Sequence, residues 1–210
     1  MSVCSCTAGA ALPSVLNATC PKDFGQVQKL IFQRIFKTAG TRNQFSGEDK
    51  ITKKAAWDEV MAATDGEKAV ITPYVEAPTT DGGDAITFGG GNETPGGVAK
   101  IIGRNPVGFG GLFRSLDQKV VKSLKALECE GELGVYLVNG EGQIMGISES
   151  TGVFQPIPIR SLFIGDLMLN GFETPDSNAI SFSFLPGWSD NAEVATPEDF
   201  NALTDLVNAA

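Results

Sequence analysis

Residues 133–148 read LGVYLVNGEGQIMGIS, and this stretch indicates the fold more directly than any other part of the chain. Two β-prone apolar runs lie on either side of Asn139-Gly140, a dipeptide that is typical of the turn in a β-hairpin. A hairpin joins antiparallel strands, whereas parallel strands need a crossover of about a dozen residues or more. The stretch therefore predicts a sheet built from antiparallel strands.

The segment just before this hairpin is the clearest helix in the sequence. Residues 114–131 read RSLDQKVVKSLKALECEG, and we predict Ser115 as the N-cap with Gln118 completing a capping box. Apolar residues recur at helical spacing on one side, at Leu116, Val120, Leu124 and Leu127. The exposed side carries Lys119, Lys122 and Lys125. One amphipathic helix packed against the sheet is expected.

Three further elements are predicted towards the N-terminus. VQKLIFQRIF (27–36) fits both a helical and an alternating period, and its Ile and Phe content favours a strand. TKKAAWDEVMAATDG (52–66) predicts a short helix with Thr52 as N-cap. Its apolar face consists of Trp57, Val60 and Met61. KAVITPYVEA (68–77) predicts a strand in which Pro73 marks an edge or a bulge.

Three elements are predicted after the hairpin. VFQPIPIRSLFIGD (153–166) is expected to be extended and bent, because two prolines interrupt it. AISFSFLPGW (179–188) alternates apolar and polar residues and predicts a half-buried strand. Its inward side chains are Ile180, Phe182 and Phe184. TPEDFNALTDLVNAA (196–210) predicts a short closing helix with Thr196 as N-cap and Pro197 at its first position.

Together these segments predict an α+β fold that is mainly antiparallel β. We expect a β-sandwich or open barrel with one flanking amphipathic helix and long Gly/Pro-rich loops. Regular βαβ alternation is missing from the pattern, which disfavours a doubly wound nucleotide-binding fold. An extended N-terminal arm is expected at 1–23 and a single β-rich domain at 24–210. The domain contains a long loop at about 78–111, where only AITFG and VAKIIG are β-prone.

The glycine-rich stretch GGGNETPGGVAKIIG (89–103) invites comparison with a phosphate-binding loop. Gly91 and Gly96 have the spacing of the two glycines in the motif G-x4-G-K-[ST]. The motif then requires a lysine and a hydroxyl, but Gly97 and Val98 occupy those positions. The stretch therefore predicts a flexible connection that becomes ordered against a neighbouring subunit, without phosphate chemistry.

Composition and charge argue against several classes of protein function. The chain of 210 residues is 42% hydrophobic and 20% charged, which is typical of a globular protein rather than a disordered one. Its net charge of −9 argues against tight nucleic-acid binding, because that affinity comes from clustered Lys and Arg. No apolar run approaches the roughly 18 residues needed to cross a bilayer. The N-terminus lacks the features of a secretory signal, so synthesis in a cytoplasm and no membrane partner are expected.

Histidine is absent from the chain, although it is the commonest general acid and base at neutral pH. We therefore expect a protein without enzymatic activity and predict no catalytic, cofactor-binding or metal-binding residue, and no cofactor. Glu128, Glu130 and Glu132 could suggest acid–base work. Alternating acids at the end of a helix are more often a solvated turn, which is the favoured interpretation.

Two groups of residues have side chains of a type that could bind a metal ion. Cys4, Cys6, Cys20 and Cys129 could form a four-thiolate zinc site, but the paired C-x2-C spacing is missing. Reduced thiols in a cytosolic protein are the favoured interpretation. Residues 173–178 (ETPDSN) with Asp166 could offer carboxylates to calcium. They lack EF-hand spacing, and Asx-type turns explain them as well.

Several segments together resemble virion structural proteins of tailed bacteriophages, and most of all tail tube proteins. They are TPYVEAPTTDGGDAITFGGGNETPGGV (72–98), IIGRNPVGF (101–109), PIPIRSLFIGDLMLNGFETPDSNAISFSFLPGWSD (156–190) and the Cys-containing N-terminal arm. The resemblance spans most of residues 68–190, and the Cys-bearing arm departs from the family pattern. It carries over no individual functional residue, because the family has no catalytic motif.

The resemblance implies a β-sandwich or barrel flanked by a helix, located in the tail of a virion. It also implies rings of identical subunits, commonly hexameric, that stack through long loops or arms and contact other tail proteins. DNA is expected to pass through the channel without specific binding, because a net acidic lining repels phosphate.

Two alternatives stay open at this point. One is another virion component, such as a capsid decoration, connector or tail terminator protein. The other is a soluble module that binds carbohydrate or a cell surface through its aromatic residues. Trp57 and Trp188 are more often core or interface residues than ligand platforms, which disfavours the second alternative.

Overall fold

The computed structural model describes residues 24–209 and confirms the predicted fold class, a mainly antiparallel β protein with flanking helix. All strand pairs in this range are antiparallel. The strands in chain order are β1 Val27–Arg34, β2 Phe36–Thr38, β3 Thr41–Arg42, β4 Phe45–Ser46, β5 Ala69–Ile71, β6 Glu76–Gly82, β7 Ala85–Phe88, β8 Lys100–Arg104, β9 Val107–Arg114, β10 Leu133–Asn139, β11 Ile144–Ser150, β12 Val153–Gln155, β13 Ile157–Ile164, β14 Ser177–Phe184 and β15 Ala192–Ala195. The helices are α1 Glu48–Ile51, α2 Lys54–Ala62 and α3 Gln118–Ala126, and short 3-10 turns span Gly91–Glu93, Pro95–Gly97 and Leu127–Cys129. The predicted N-terminal arm at 1–23, with Cys4, Cys6 and Cys20, lies outside the described residues.

The hairpin predicted at 133–148 is confirmed as β10 and β11, although its turn differs in detail. The carbonyl of Asn139 accepts a hydrogen bond from the amide of Gly142 at 3.0 Å, and Gly142 has a φ of 80°. This is a three-residue loop with glycine in the left-handed position. The backbone freedom of glycine is therefore required at Gly142 rather than at Gly140.

Strand β13 joins the two halves of the main sheet. Its first residues pair with β10, where Ile157 lies opposite Val135. Its later residues pair with β14, where Ile164 lies opposite Ile180. A bulge within the region paired to β14, between Arg160 and Phe163, contains Ser161, which has a φ of 56°. A bulge bends a strand, so the sheet folds back on itself at the segment that the two prolines led us to expect as bent.

The folded sheet encloses one core and leaves a second on its outer face. Successive residues of β1 point to opposite faces, so Leu30 and Phe32 enter the inner core while Ile31 enters the outer core. The inner core is centred on Phe109, Phe113, Val135, Ile159, Ile180, Phe182 and Phe184. The outer core is centred on Phe45, Trp57, Met61, Tyr136, Ile144, Phe154 and Leu206. Strands β1 and β10 are therefore buried on both faces.

The predicted helix before the hairpin is confirmed as α3. Leu124 is buried in the inner core, and the other three predicted stripe residues pack against that core. The N-cap prediction at Ser115 was wrong: the carboxylate of Asp117 accepts the amide of Lys119 at 2.7 Å and caps the helix. Ser115 has a φ of 48°, and its amide instead bonds the carbonyl of Asp176 at 2.9 Å. The chain therefore enters the helix two residues later than predicted.

Helix α2 confirms the predicted helix near Trp57 and covers the outer core. Trp57 and Met61 are buried on the predicted face. The predicted cap was again misplaced, because Lys53 occupies the N-cap position and the amide of Lys54 bonds Asp199 at 2.9 Å instead. A carboxylate from a distant segment replaces the local Thr52 cap.

The closing helix predicted at 196–210 was wrong, since residues 196–209 form turns without a helix. Asn201 Oδ1 accepts the amide of Leu203 at 2.9 Å, and Asp205 accepts the amide of Asn201 at 2.9 Å. Short polar side chains that bond nearby amides compete with helix formation. Leu203 and Leu206 are nevertheless buried in the outer core. The segment therefore packs against the outer core as an irregular coil that these hydrogen bonds hold in place.

Candidate assembly surface

The predicted loop at about 78–111 is largely strand. Its two predicted β-prone runs are confirmed as β7 and β8, which pair with each other as a separate two-stranded sheet. Strand β6 and the start of β9, which the sequence pattern did not predict, continue the same hairpin into the main sheet. We call residues 85–104 the glycine-rich hairpin. It extends from the β6–β9 pair at one edge of the main sheet.

The tip of the glycine-rich hairpin is ordered by one buried threonine. The hydroxyl of Thr94 donates to the carbonyl of Val98 at 2.8 Å and accepts the amide of Gly90 at 3.0 Å. Gly89 has a φ of 78°, and a Cβ there would lie 2.1 Å from the Thr94 methyl group. The glycines thus permit a tight tip closed by Thr94. A phosphate-binding loop would need a helix after the glycines, but strand β8 follows them.

The glycine-rich hairpin presents apolar side chains to solvent on both faces. Phe88 is 58% exposed and shares a face with Ile86, while Ile101, 71% exposed, lies on the other face opposite Thr87. Val98 and Ile102 are also exposed. An isolated two-stranded hairpin is at best marginally stable in water, and contiguous apolar surface of this kind marks an interaction site.

A second apolar surface lies between β13 and β14. We call residues 166–176 the hydrophobic loop. Leu169 is 77% exposed and the side chain of Phe172 is fully exposed, with Leu167 and Met168 partly so. The base is fixed by backbone hydrogen bonds in both directions between Met168 and Ser177. The loop therefore holds apolar side chains outward on a fixed base.

Two of the open edges of the main sheet are guarded. The side chain of Asn208 bonds both the amide and the carbonyl of Ile71 at 2.8 Å, which satisfies edge strand β5 as a neighbouring strand would. Edge strand β6 contains Pro78, which has no amide hydrogen, and a bulge at Ala77 with a φ of 47°. Such features block unwanted strand pairing. The exposed side chains of the hairpin and loop are thus better placed for contacts than the sheet edges.

The three acids after α3 are tied to the fold. Glu128 accepts the amide of Ile164 at 2.6 Å, and Glu132 pairs with Arg160 at 3.3 Å. Glu130 forms a bidentate pair with Arg34, and the hydrogen bond from Arg34 holds the pKa of Glu130 below its ordinary value. All three carboxylates bond residues of neighbouring elements. The acids therefore make structural contacts within the fold, whereas the sequence favoured a solvated turn.

The residues weighed for metal sites do not converge in the described part of the chain. Cys129 is exposed, and the other three cysteines lie outside residues 24–209. Asp166 pairs with Lys125, whose hydrogen bond lowers the pKa of that carboxyl. Asp176 accepts the amide of Asn170 at 3.1 Å. Within the described range no three Cys, Asp or Glu side chains are grouped as metal ligands.

Both tryptophans are engaged within the subunit. Trp57 is fully buried, packs at a tilt against Phe45 with ring centroids 4.6 Å apart, and donates to the carbonyl of Ile51 at 3.0 Å. Trp188 stacks on Phe184 with ring centroids 4.3 Å apart. The ring of Trp57 is therefore closed to a ligand, and one face of Trp188 is covered by Phe184.

Charge is distributed unevenly along the chain. Residues 161–210 contain no Lys or Arg, whereas they carry Asp166, Glu173, Asp176, Asp190, Glu193, Glu198, Asp199 and Asp205. The hydrophobic loop falls inside this acidic last quarter of the chain. Lysines are concentrated earlier, and α3 alone carries three of them. The asymmetry lies along the sequence, and in the fold Asp166 and Glu198 of the acidic segment pair with Lys125 and Lys53.

Comparison with protein families found no matching family model, and comparison with curated proteins found no match. None of the helices within residues 24–209 combines the length and apolar character of a membrane span. The sequence analysis missed the hydrophobic loop, whose only sequence signal is the run LMLNGF at 167–172 in an acidic context.

Proposed function

We propose that this protein is a structural subunit of a phage tail tube that assembles with copies of itself into stacked rings around a channel for DNA. The observation that carries the proposal is the glycine-rich hairpin, which exposes apolar side chains on both faces. The resemblance of residues 68–190 to tail tube proteins supplies the biological setting, and it is independent of the exposure of the hairpin.

The energetics of the hairpin support self-assembly. Phe88, Ile101 and Ile102 each expose more than half of their side-chain surface. Burying apolar surface contributes about 25 cal/mol per Å², so covering these three side chains against a neighbour stabilises a contact substantially. A monomer gains nothing from keeping them in water. A ring or stack of identical subunits offers the same covering surface to every hairpin.

The geometry supports closed rings or stacks rather than simple pairs. The hairpin leaves the sheet at the β6 edge, and we propose that a different surface of the neighbouring subunit covers it. A contact between two different patches is heterologous, and such contacts generate rings when the rotation closes and filaments when it does not. The guarded edges at β5 and β6 keep free subunits from pairing at random.

The electrostatics support passage of DNA without binding. The subunit carries a net charge of −9, and its last 50 residues, 161–210, contain eight acids and no base. Phosphates are repelled by such a surface when it lines a channel. Replacing acids of this segment by lysine is therefore expected to slow DNA ejection, and unchanged ejection would contradict the electrostatic part of the proposal alone.

The proposal is tested by purifying the full chain and following its size by light scattering and negative-stain electron microscopy as concentration rises. Rings or hollow tubes are expected. A strict monomer at high concentration would overturn the proposal, and a closed assembly that never stacks would favour another virion component such as a connector or terminator.

A matched pair of variants assigns the contact to the hairpin. Phe88→Ser combined with Ile101→Ser is expected to abolish tubes while leaving the fold intact, since both side chains are exposed. Leu185→Ser changes an exposed apolar residue outside the hairpin and is expected to leave tubes intact. Tubes formed equally by both variants would remove the hairpin from the contact.

A further inference from the structure

An apolar groove of about 490 Å³ lies beside α3, between that helix, β5 and the chain end. It is lined by Val120 of α3 and Leu127 just after the helix, by Val70 and Pro73 near β5, and by Leu206 and Val207 near the chain end. Val207 is 68% exposed, so the groove is open to solvent. It has the width and character of a site for apolar side chains rather than for a polar ligand.

Two lysines, Lys29 and Lys68, line this groove. Lys29 donates to the carbonyl of Leu203 at 2.7 Å and lies over the ring of Tyr74, so it is held in place. Lys68 is exposed, and its ammonium makes no ion pair with a carboxylate in the part of the chain that the structure describes. An occupant with acidic and apolar side chains suits this groove.

The hydrophobic loop has that composition. Its exposed side chains are Leu167, Met168, Leu169 and Phe172. Its acids are Asp166, Glu173 and Asp176, and it contains no basic residue. Two hydrogen bonds from the side chain of Asn170, to Pro175 and Ser177 at 3.0 Å, fix its shape before any contact forms. A preorganised loop loses little entropy on binding.

The loop of one subunit cannot enter the groove of the same subunit, because α3 stands between them. Lys125 of the helix pairs with Asp166 at the start of the loop, and Glu128 just beyond the helix bonds Ile164 beside it. Val120 and Leu127 face the groove. At about 100° per residue, Lys125 lies roughly 140° to 160° around the helix from these two residues. Loop and groove therefore occupy different sides of one helix.

We infer that the hydrophobic loop of one subunit binds in the groove beside α3 of a second copy of this chain. Leu169 and Phe172 enter between the walls, and Glu173 lies near Lys68 at the rim. The contact joins two different patches, so it is heterologous and repeats around a ring. It deepens the proposed function and rests on it, because it names the two surfaces that neighbouring subunits bring together.

The test measures self-association of the full chain by sedimentation velocity over a range of concentrations. A loop variant, Leu169→Ser with Phe172→Ser, and a groove variant, Lys68→Glu with Val207→Glu, are each expected to weaken association about thirtyfold or more, as interface anchors do. Lys122→Glu makes the same charge change as Lys68→Glu on the exposed side of α3, and is expected to associate like the wild type. Thermal unfolding checks that each variant folds.

Mixing the two defective variants provides the sharper readout. The groove variant keeps an intact loop and the loop variant keeps an intact groove, so one productive contact can form between them. In the Phe88→Ser, Ile101→Ser background, which removes the proposed hairpin contact, the mixture is expected to contain heterodimers that do not extend, while each variant alone stays monomeric. A charge-exchanged chain with Lys68→Glu and Glu173→Lys is expected to regain much of the association that Lys68→Glu loses.

Two outcomes separate this inference from the proposed function. If the wild type forms rings or tubes and both variants do so equally well, the loop–groove contact is wrong and the proposed function stands. If the wild type stays monomeric at high concentration, the proposed function fails and the contact fails with it. Heterodimers absent from the mixture, with both variants folded, would also overturn the contact.

Discussion

Two antiparallel strand pairs in this protein share the same backbone pattern and have opposite surroundings. Strands β1 and β10 pair from Val27 opposite Asn139 to Arg34 opposite Leu133, and every residue of β10 is buried. Strands β7 and β8 pair in the glycine-rich hairpin, where nearly every residue is exposed. The first pair is covered by the sheet fold, α2 and the chain end, and nothing within the described subunit covers the second.

This difference shows that the role of each strand pair depends on whether other elements of the subunit cover it, rather than on the sequence of its strands. Isoleucine and phenylalanine occur in both pairs, so the presence of apolar side chains alone does not distinguish them. In the core pair these side chains stabilise the subunit, because folding removes them from water. In the hairpin the same side chains can stabilise only a contact with another molecule. Substitutions in the body of the subunit, to which the β1–β10 pair belongs, should therefore affect different measurements from substitutions in the glycine-rich hairpin, and these are the two regions in which the variants lie.

The largest expected difference comes from truncating one phenylalanine in each region. Phe182 is 2% exposed and stacks on Phe109, so Phe182→Ala is expected to reduce the free energy of unfolding by about 3–5 kcal/mol. Phe88→Ala, at an exposed position, is expected to change it by less than about 0.5 kcal/mol. Urea denaturation at low protein concentration measures both. A comparable loss for Phe88→Ala would mean that the hairpin stabilises the monomer.

A glycine in each region gives the next largest contrast. A Cβ at Gly146 in β11 would lie 2.6 Å from the Gln155 carbonyl oxygen and from the ring of Phe154. Gly146→Ala is therefore expected to cost about 1–3 kcal/mol through overpacking. At Gly103 in β8 the nearest atom, on Ile86, lies 3.6 Å away, and Gly103→Ala is expected to cost nothing. Thermal unfolding measures the stability of the two variants. Equal losses of stability in Gly146→Ala and Gly103→Ala would contradict the expected difference between the two regions.

An asparagine in each region tests a smaller effect. Asn208→Ala removes the two hydrogen bonds that close the β5 edge at Ile71, and is expected to cost about 1–2 kcal/mol. Asn92→Ala, at the exposed tip of the glycine-rich hairpin, is expected to stay within about 0.5 kcal/mol of the wild type. The comparison uses the urea concentration at the midpoint of unfolding for each variant. It requires that the free energy of unfolding falls with urea concentration at the same slope in both variants. A neutral Asn208→Ala would show that water replaces the side chain at this edge.

The smallest expected effect concerns one carboxylate in each region. The pKa of Glu130 is lowered by its hydrogen bond from Arg34, so the pair contributes stability above the unfolded value of about 4.5. That contribution is lost as the pH falls through the lowered pKa. Glu130→Gln is expected to cost less than about 1 kcal/mol at pH 7, because the pair is partly solvated, with the difference shrinking below pH 4. Glu93→Gln in the hairpin serves as control, and a difference that grew on acidification would have the wrong sign.

The sequence was most informative where one local signal matched its surroundings. The 133–148 hairpin and the alternation of Ile180, Phe182 and Phe184 were predicted correctly, because the side-chain period of a strand decides which face is buried. The closing helix at 196–210 was wrong, since Asn201 and Asp205 bond nearby amides, and helical propensity alone does not weigh that competition. The Thr52 cap prediction failed because the carboxylate of Asp199, from a distant segment, bonds the first amide of α2, and the Ser115 prediction failed because Asp117, two residues later, caps α3 locally.

The candidate assembly surface was harder to predict for a different reason. VAKIIG was correctly predicted to be a strand, but no local pattern reveals whether a strand will be covered. The residues that cover β10 come from distant segments, such as Trp57 and Leu206. The hydrophobic loop escaped prediction for the same reason, as LMLNGF would be a core segment if another element packed on it.

Amide hydrogen exchange of the full chain, measured at low and high protein concentration, tests the central claim most directly. The account predicts that amides of β10 are protected at both concentrations, while amides of β7 and β8 exchange rapidly in the dilute monomer and become protected once assemblies form. Protection of β7 and β8 that is equal at both concentrations, while assemblies are present only in the concentrated sample, would contradict the claim that the glycine-rich hairpin is covered by a neighbouring subunit.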